Sequence, residues 1–208
     1  MRRKILATSG LLFTLSLAAP VQAVNSAKPR LLLAGYERQE WGGTSPNGRD
    51  ERRDEQEVYD AINEIYRDVL DRDADYSGLR NWARKLERGA TLRDIREDIA
   101  RSREAQDRIR DLYREVLERE ADSGGIRTWV GELADGDSLS DVRKKIAGSE
   151  EAENAINRIY RQVLGRNADR DGLRTWKRKL QDGATLSEIR DRIAGSDEGR
   201  QRRGRQRR

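Results

Sequence analysis

The chain has neither cysteine nor histidine. Without cysteine there is no disulfide framework, no thiolate nucleophile and no Cys/His zinc site. Without histidine the commonest general base is gone as well. Apolar residues are also few. They make up 35% of the chain against 39% charged residues, and the mean hydropathy is −1.00. That balance lies near the disordered class, so a folded reading has to rest on periodicity. Whatever folds here does so by packing alone.

The net charge of +5 is unevenly distributed. Arg2, Arg3 and Lys4 stand at the start, and Arg200, Arg202, Arg203, Arg205, Arg207 and Arg208 at the end, which leaves residues 24–198 mildly acidic at −4. The first cluster opens a positive n-region, followed by an apolar stretch from Ile5 to about Ala19, Pro20, and a small-x-small pattern at Val21–Gln22–Ala23. Residues 1–23 therefore read as a secretory signal peptide, too short and too interrupted for a membrane span. An exported product follows, with no span left after cleavage. Leu32–Leu33–Ala34–Gly35 is lipobox-like, but Tyr36 occupies the place of the lipidated cysteine. Residues 24–56 read as a flexible spacer, since Gly, Pro, Asn and both charge signs mix there without an apolar period. At the other end GRQRR occurs twice in succession. The like charges of residues 199–208 predict a disordered arginine-rich tail, suited to attracting a polyanion.

Between these ends the chain repeats itself. Tyr66, Tyr113 and Tyr160 are 47 residues apart, as are Trp82, Trp129 and Trp176. Gly78, Gly125 and Gly172 keep the same offset, and so do Arg72, Arg119 and Arg166 with Asp75, Asp122 and Asp169. A strict period of this length marks a repeat architecture. The copies span residues 57–103, 104–150 and 151–198.

Each copy carries three amphipathic segments. In the first, Ile62, Ile65, Tyr66, Val69 and Leu70 form one helical stripe. Leu79, Trp82 and Leu86 mark a second helix stopped by Gly89, and Leu92, Ile95 and Ile99 a third. Thr91 with Asp94, Ser138 with Asp141 and Thr185 with Glu188 fit the capping box that opens a helix. Ser102 and Ser149 are placed to cap the first helix of the following copy. Junctions of a few residues argue for copies packed against one another. The sequence thus predicts an all-α chain: three tandem 47-residue three-helix repeats stacked into one compact helical array, with a disordered N-terminal spacer and a disordered C-terminal tail.

The pattern Ile-x-x-Ile-Tyr-Arg-x-Val-Leu-x-Arg-x-Ala-Asp-x-x-Gly-Leu-x-x-Trp occurs at 62–82 and 156–176, with Leu112 and Ile126 as conservative departures in the middle copy. It resembles the bacterial domain of unknown function 4214, which is similar to the phycobilisome linker domain. The resemblance implies helical tandem modules in exported and surface proteins. It also implies a scaffold-like role, with a protein or envelope-matrix component as partner. It carries no catalytic residues. The export signal sets this chain apart from linkers of photosynthetic antennae.

Other candidates are weaker. Asp71-x-Asp73-x-Asp75 begins like a calcium loop, but Tyr76 stands where the turn glycine belongs and Trp82 where the bidentate glutamate belongs. The Asp75, Asp122 and Asp169 series reads instead as an N-cap for the second helix, paired locally with Arg72, Arg119 and Arg166. The arginine columns at 67/114/161, 80/127/174 and 96/143/190 read as solvated salt-bridge partners. The ring residues, in phase with the core stripes, read as core. No nucleophile–base–orienter set can be assembled. The expectation is a non-enzymatic interaction module without cofactor or metal, with polyanion binding through the tail as the alternative.

Overall fold

The computed structural model describes residues 50–206. Among these residues there are ten helices and no strand. The first unit contains α1 (Asp50–Leu70), α2 (Tyr76–Glu87) and α3 (Leu92–Ala100). The second contains α4 (Arg103–Leu117), α5 (Ser123–Ala134) and α6 (Leu139–Gly148). The third contains α7 (Glu150–Leu164), α8 (Arg170–Gln181) and α9 (Leu186–Ala194), and α10 (Asp197–Gln206) closes the chain. The expected signal peptide and the expected spacer up to residue 49 lie outside the described residues.

The caps form as the sequence predicts. Thr91, Ser138 and Thr185 each accept from the amide three residues on, and the acid there reaches back to the cap amide. Ser102 and Ser149 accept from Ala105 and Ala152 at the starts of α4 and α7. Each box satisfies amides that the first turn of a helix leaves open. Second helices end at Gly89, Gly136 and Gly183, all with positive φ (93°, 121° and 106°), a conformation in which a Cβ is strained.

One apolar core runs through all three units. It is built on the first-helix stripes (Ile62 and Val69, Ile109 and Val116, Ile156 and Ile159) and on Ile95, Val142 and Ile189 of the third helices. The stacking rule repeats. The third helix of one unit packs on the second helix of the next, α3 on α5 and α6 on α8, while the first helices α1, α4 and α7 pack in succession. Leu133 and Leu180 at these junctions are fully buried, whereas Leu86 of the first unit is only partly covered.

Two boundaries differ from the sequence reading. The expected spacer runs to residue 56, but α1 already begins at Asp50. Its charged opening turns are good helix formers, tied four residues apart by Gln56 donating to Asp60 (2.8 Å) and Tyr59 donating to Glu55 (2.6 Å). The C-terminal segment expected to be disordered is helical through Gln206. Ser196, 47 residues after Ser149, accepts from the Gly199 amide (3.1 Å), and α10 begins as a fourth first helix would. A Cβ on Gly199 would meet the Ile193 carbonyl at 2.6 Å, so glycine lets the helix lie close. Arg202 donates to the Leu164 carbonyl and Arg203 to the Ala194 carbonyl, at the C-terminal ends of α7 and α9. Guanidinium groups that would repel one another in a free tail are held apart here by helix-end carbonyls. The result is a polar lid over the C-terminal ends of α7 and α9.

Candidate functional site

The residues that recur most strictly meet in one cluster per unit. In unit 1 the Trp82 indole N–H donates to the Tyr66 hydroxyl (2.8 Å). The same bond joins Trp129 to Tyr113 (2.9 Å) and Trp176 to Tyr160 (2.8 Å). The tyrosine rings are buried and the indoles pack half-buried against the core, so the second helix is pinned to the first. The signature glycine faces the phenol. A Cβ would lie 3.2 Å from the Tyr66 hydroxyl at Gly78, 2.8 Å from that of Tyr160 at Gly172, and 2.5 Å from that of Tyr113 at Gly125.

The same glycine amide donates to the capping aspartate, Asp75, Asp122 or Asp169, each at 2.7 Å. The N-cap reading of these acids is therefore borne out. At Asp75 and Asp122 these bonds favour the carboxylate form. Ser77 and then Gly78 hold Asp75 below its ordinary range, and Gly125 does so for Asp122.

The arginine partner is different from the one expected. Arg72, Arg119 and Arg166 lie over the Tyr66, Tyr113 and Tyr160 rings at 5.2, 4.9 and 5.4 Å. Each forks onto a glutamate 32 residues ahead, at the start of the next first helix. Arg72 binds Glu104 at 2.6 and 2.8 Å, and Arg166 binds Glu198 at 2.7 Å through both nitrogens. Arg119 binds Glu151 in the same way. Only Arg166 keeps a contact with its local aspartate, Asp169, at 4.0 Å. The aspartate is already engaged by the cap, and the planar guanidinium stacked on the ring points across the junction instead. Glu104, Glu151 and Glu198 are thus clasp members that the sequence reading missed. Their signal was present, for they too recur every 47 residues, two after a serine cap. The Arg72 and Arg166 guanidinium groups hold Glu104 and Glu198 below the ordinary carboxylate range.

The third arginine column also departs from the solvated reading. Arg96 is buried at 8% exposure. It donates to the carbonyls of Leu133 (2.8 Å) and Asp137 (2.7 Å) in the next unit and to Asp68 in its own (3.1 Å). Arg143 repeats this with the carbonyls of Leu180 (3.4 Å) and Ala184 (3.5 Å), and with Glu115. Arg190 instead forks onto Glu118 at 2.8 and 2.6 Å. In the first column Arg67 pairs with Asp73 and Arg114 with Glu120 at the surface, while Arg161 donates to Asn167; in the second, among the described residues, only Arg174 makes an ion pair, with Asp171, and Arg80 lies over the Tyr76 ring instead.

The acids of the calcium-like loop are committed as well. Asp71 pairs with Arg108 (3.1 Å), Asp73 with Arg67 (2.5 Å), and Asp75 caps α2. Among the described residues no group of three acids is arranged to hold a metal ion, and no helix is long and apolar enough to cross a membrane. Of the tail arginines, Arg200 pairs with Asp197 (2.6 Å), Arg202 and Arg203 serve the lid, and Arg205 is exposed. Arg207 and Arg208 lie outside the described residues.

Two predictions arise from the clasp. Gly125→Ala is expected to destabilise the protein by about 1–2 kcal/mol, because the new methyl displaces the Tyr113 hydroxyl. Gly131→Ala in the same helix, where an added Cβ meets nothing within 4 Å, is expected to stabilise by roughly 0.5–1 kcal/mol through helix propensity alone. Urea titration of both variants checks the sign reversal, and a stabilising Gly125→Ala would refute the close approach. The second prediction concerns acid. Carboxylates whose folded pKa is depressed contribute stability above their unfolded pKa and lose it as pH falls through the folded value. The urea midpoint should therefore be flat near neutrality and fall below about pH 4. Glu104→Gln with Glu198→Gln should flatten that fall, and an unchanged slope would count against the arginine forks.

The fold and its clasps define a class: a helical tandem-repeat protein whose units are joined by arginine bridges. The chain belongs to the family described as Domain of unknown function (DUF4214), whose model matches residues 55–109, 106–156 and 151–202. No curated protein and no solved structure matches it.

Proposed function

We propose that this chain is a non-enzymatic interaction module, exported to the cell surface or periplasm of a bacterium, where the array presents its outer faces to a protein or matrix partner. One observation carries the reading. The rings, glycines and bridging arginines common to all units are committed to clasps and junctions, whereas the outer faces of the second helices, apart from the shared Arg80, Arg127 and Arg174, differ in charge from unit to unit. Charged residues on α2 give +2 (Arg80, Arg84, Lys85 against Glu87), while on α5 Arg127 and Glu132 cancel. On α8, Arg170, Arg174, Lys177, Arg178 and Lys179 against Asp171 give +4. A constant skeleton with a varied face suits a scaffold better than a catalyst, which would need one converging set of reactive groups. The n-region, apolar stretch and cleavage pattern of residues 1–23 support export, and the likeness to phycobilisome linkers supports a joining role.

The test is capture from envelope and culture-supernatant fractions on immobilised residues 24–208. A discrete partner should be retained, and its retention should change when the exposed residues of α2, α5 or α8 are exchanged between units. Repeated blanks would count against the proposal.

A second reading is polyanion attraction by the C-terminal arginines, favoured by the exposure of Arg200 and Arg205. Replacing Arg200, Arg205, Arg207 and Arg208 with Gln leaves the lid contacts of Arg202 and Arg203 in place. If elution of that variant from an anionic matrix still requires the same salt, the tail is not the attractor.

A further inference from the structure

The groove between the first and second helices occurs in at least two units, and it differs between them. In unit 2 it spans about 320 Å³ and is lined by Gln106, Ser123, Ile126 and Val130 together with three arginines, Arg101, Arg110 and Arg127, so that groove is cationic too but lacks a continuous stripe on its second helix. In unit 3 it encloses about 600 Å³, and the positions equivalent to Ser123 and Val130 carry Arg170 and Lys177, with Arg178 added to the wall. We propose that this unit 3 groove, between α7 and α8, is a binding site for an acidic polysaccharide, one bearing carboxylate or sulfate groups along an extended chain. The site is separate from the tail arginines and stands whether or not they bind anything.

The chemistry begins with spacing. Arg170, Arg174, Lys177 and Arg178 fall at i, i+4, i+7 and i+8 of α8, a single stripe of one helix face. At 1.5 Å per residue the stripe is about 12 Å long. Two of the four are paired, one of them with Glu153 of the opposite wall. Arg174 pairs with the exposed Asp171 at 3.2 Å, and Lys177 approaches Glu153 only to 3.7 Å, while Arg170 and Arg178 have no ion pair among the described residues.

A second substitution deepens the excess. Across the second and third helices, Lys85 meets Asp98 in unit 1 (2.6 Å), and in unit 2 the signs are exchanged, with Glu132 meeting Lys145. In unit 3 the equivalent positions are Lys179 and Arg192, both cationic. Neither residue lines the groove, so the change adds to the positive charge of unit 3 without forming part of the site. Units 1 and 2 show that the fold does not require this arrangement.

The occupant follows from what lines the groove. Leu173 is its one apolar side chain, too little for the apolar centre of a protein interface. No aromatic ring lines it, so unpaired bases have nothing to stack on. Fixed positive charges along a shallow, open trough suit a hydrated polymer with repeated anionic groups, held by charge and hydrogen bonds, and arginine forks match carboxylate and sulfate oxygens.

The test uses the mature chain, residues 24–208, and fluorescent heparin (sulfated) and polygalacturonate (carboxylated) as probes, with single-stranded DNA as a competing polyanion. Changing Arg170, Arg174, Lys177 and Arg178 together to Gln should weaken glycan binding roughly tenfold or more at moderate salt and flatten its salt dependence. The sulfated and carboxylated arms show which oxyanion is preferred. A reciprocal variant places the stripe in unit 2 by Ser123→Arg, Val130→Lys and Gly131→Arg, the last at a position open to a side chain. It should add a second glycan-binding equivalent to the intact protein, which keeps the proposal testable if the quadruple variant fails to fold. Unchanged glycan affinity in a folded quadruple variant overturns the site, as does loss of binding only in the Arg200/Arg205/Arg207/Arg208 variant. Stronger binding of DNA than of either glycan through the same residues overturns the choice of ligand.

Discussion

Arg96→Ala is expected to lower the unfolding free energy by about 3 kcal/mol, while Arg190→Ala, 94 residues later in the same column, should cost no more than about 1 kcal/mol. The two arginines occupy the same place in the repeat and differ in what lies beyond them. Arg96 is buried between units, and its loss strands the Leu133 and Asp137 carbonyls in a region where water does not readily replace the donor. Arg190 forks onto Glu118 near the surface, where both groups can be rehydrated. Lysine at position 96 should recover only part of the loss, because a single ammonium cannot address two carbonyls and Asp68 in the fork geometry of a guanidinium. Chemical denaturation of the three variants provides the measurement. Equal costs at 96 and 190 would mean that the arginine does not bridge the units.

The second large effect concerns the apolar side of the same junction. Leu133→Ala should cost about 3 kcal/mol and Leu86→Ala only about 1 kcal/mol. Leu133 is fully buried on α5, which packs against α3 of the preceding unit, whereas Leu86 in the first unit is only partly covered. The contrast also bears on how the array unfolds. If units behaved as independent beads, the two leucines would be equivalent and the costs would match. With shared faces, damage at Leu133 is felt by both neighbours, and the protein should still melt in one transition. A separate early transition in the Leu133 variant would show that the junction is weaker than its burial indicates.

Both contrasts begin from a sequence in which the paired residues look alike. Periodicity made the helices legible, because apolar stripes at helical spacing and serine or threonine caps are local features that tertiary contacts seldom override. The Tyr–Trp pairs were legible as core for the same reason, although the hydrogen bond between them was not. The clasp partners were harder. Arg72 stands three residues from Asp75, and proximity along the chain suggested that pair. Glu104 lies 32 residues away and becomes adjacent only when the next first helix is stacked on the loop. The lid was misjudged for a similar reason. Read along the chain, the arginines of α10 face only one another; in space, two of them face helix-end carbonyls that no local pattern reveals.

The sequence by itself determined the unit: its length, its three helices, their caps, and the rings and glycines that hold the second helix on the first. All of these depend on residues within one period, where 3.6-residue geometry and capping chemistry act over a few neighbours. Tertiary structure alone decided what each unit does to the next. It made Arg96 a bridge and Arg190 a surface pair, buried Leu133 and left Leu86 partly open, and turned an arginine-rich end into a lid. Stacking brings together groups 30 to 40 residues apart, and identical residues acquire different roles according to whether a neighbour is present to desolvate them.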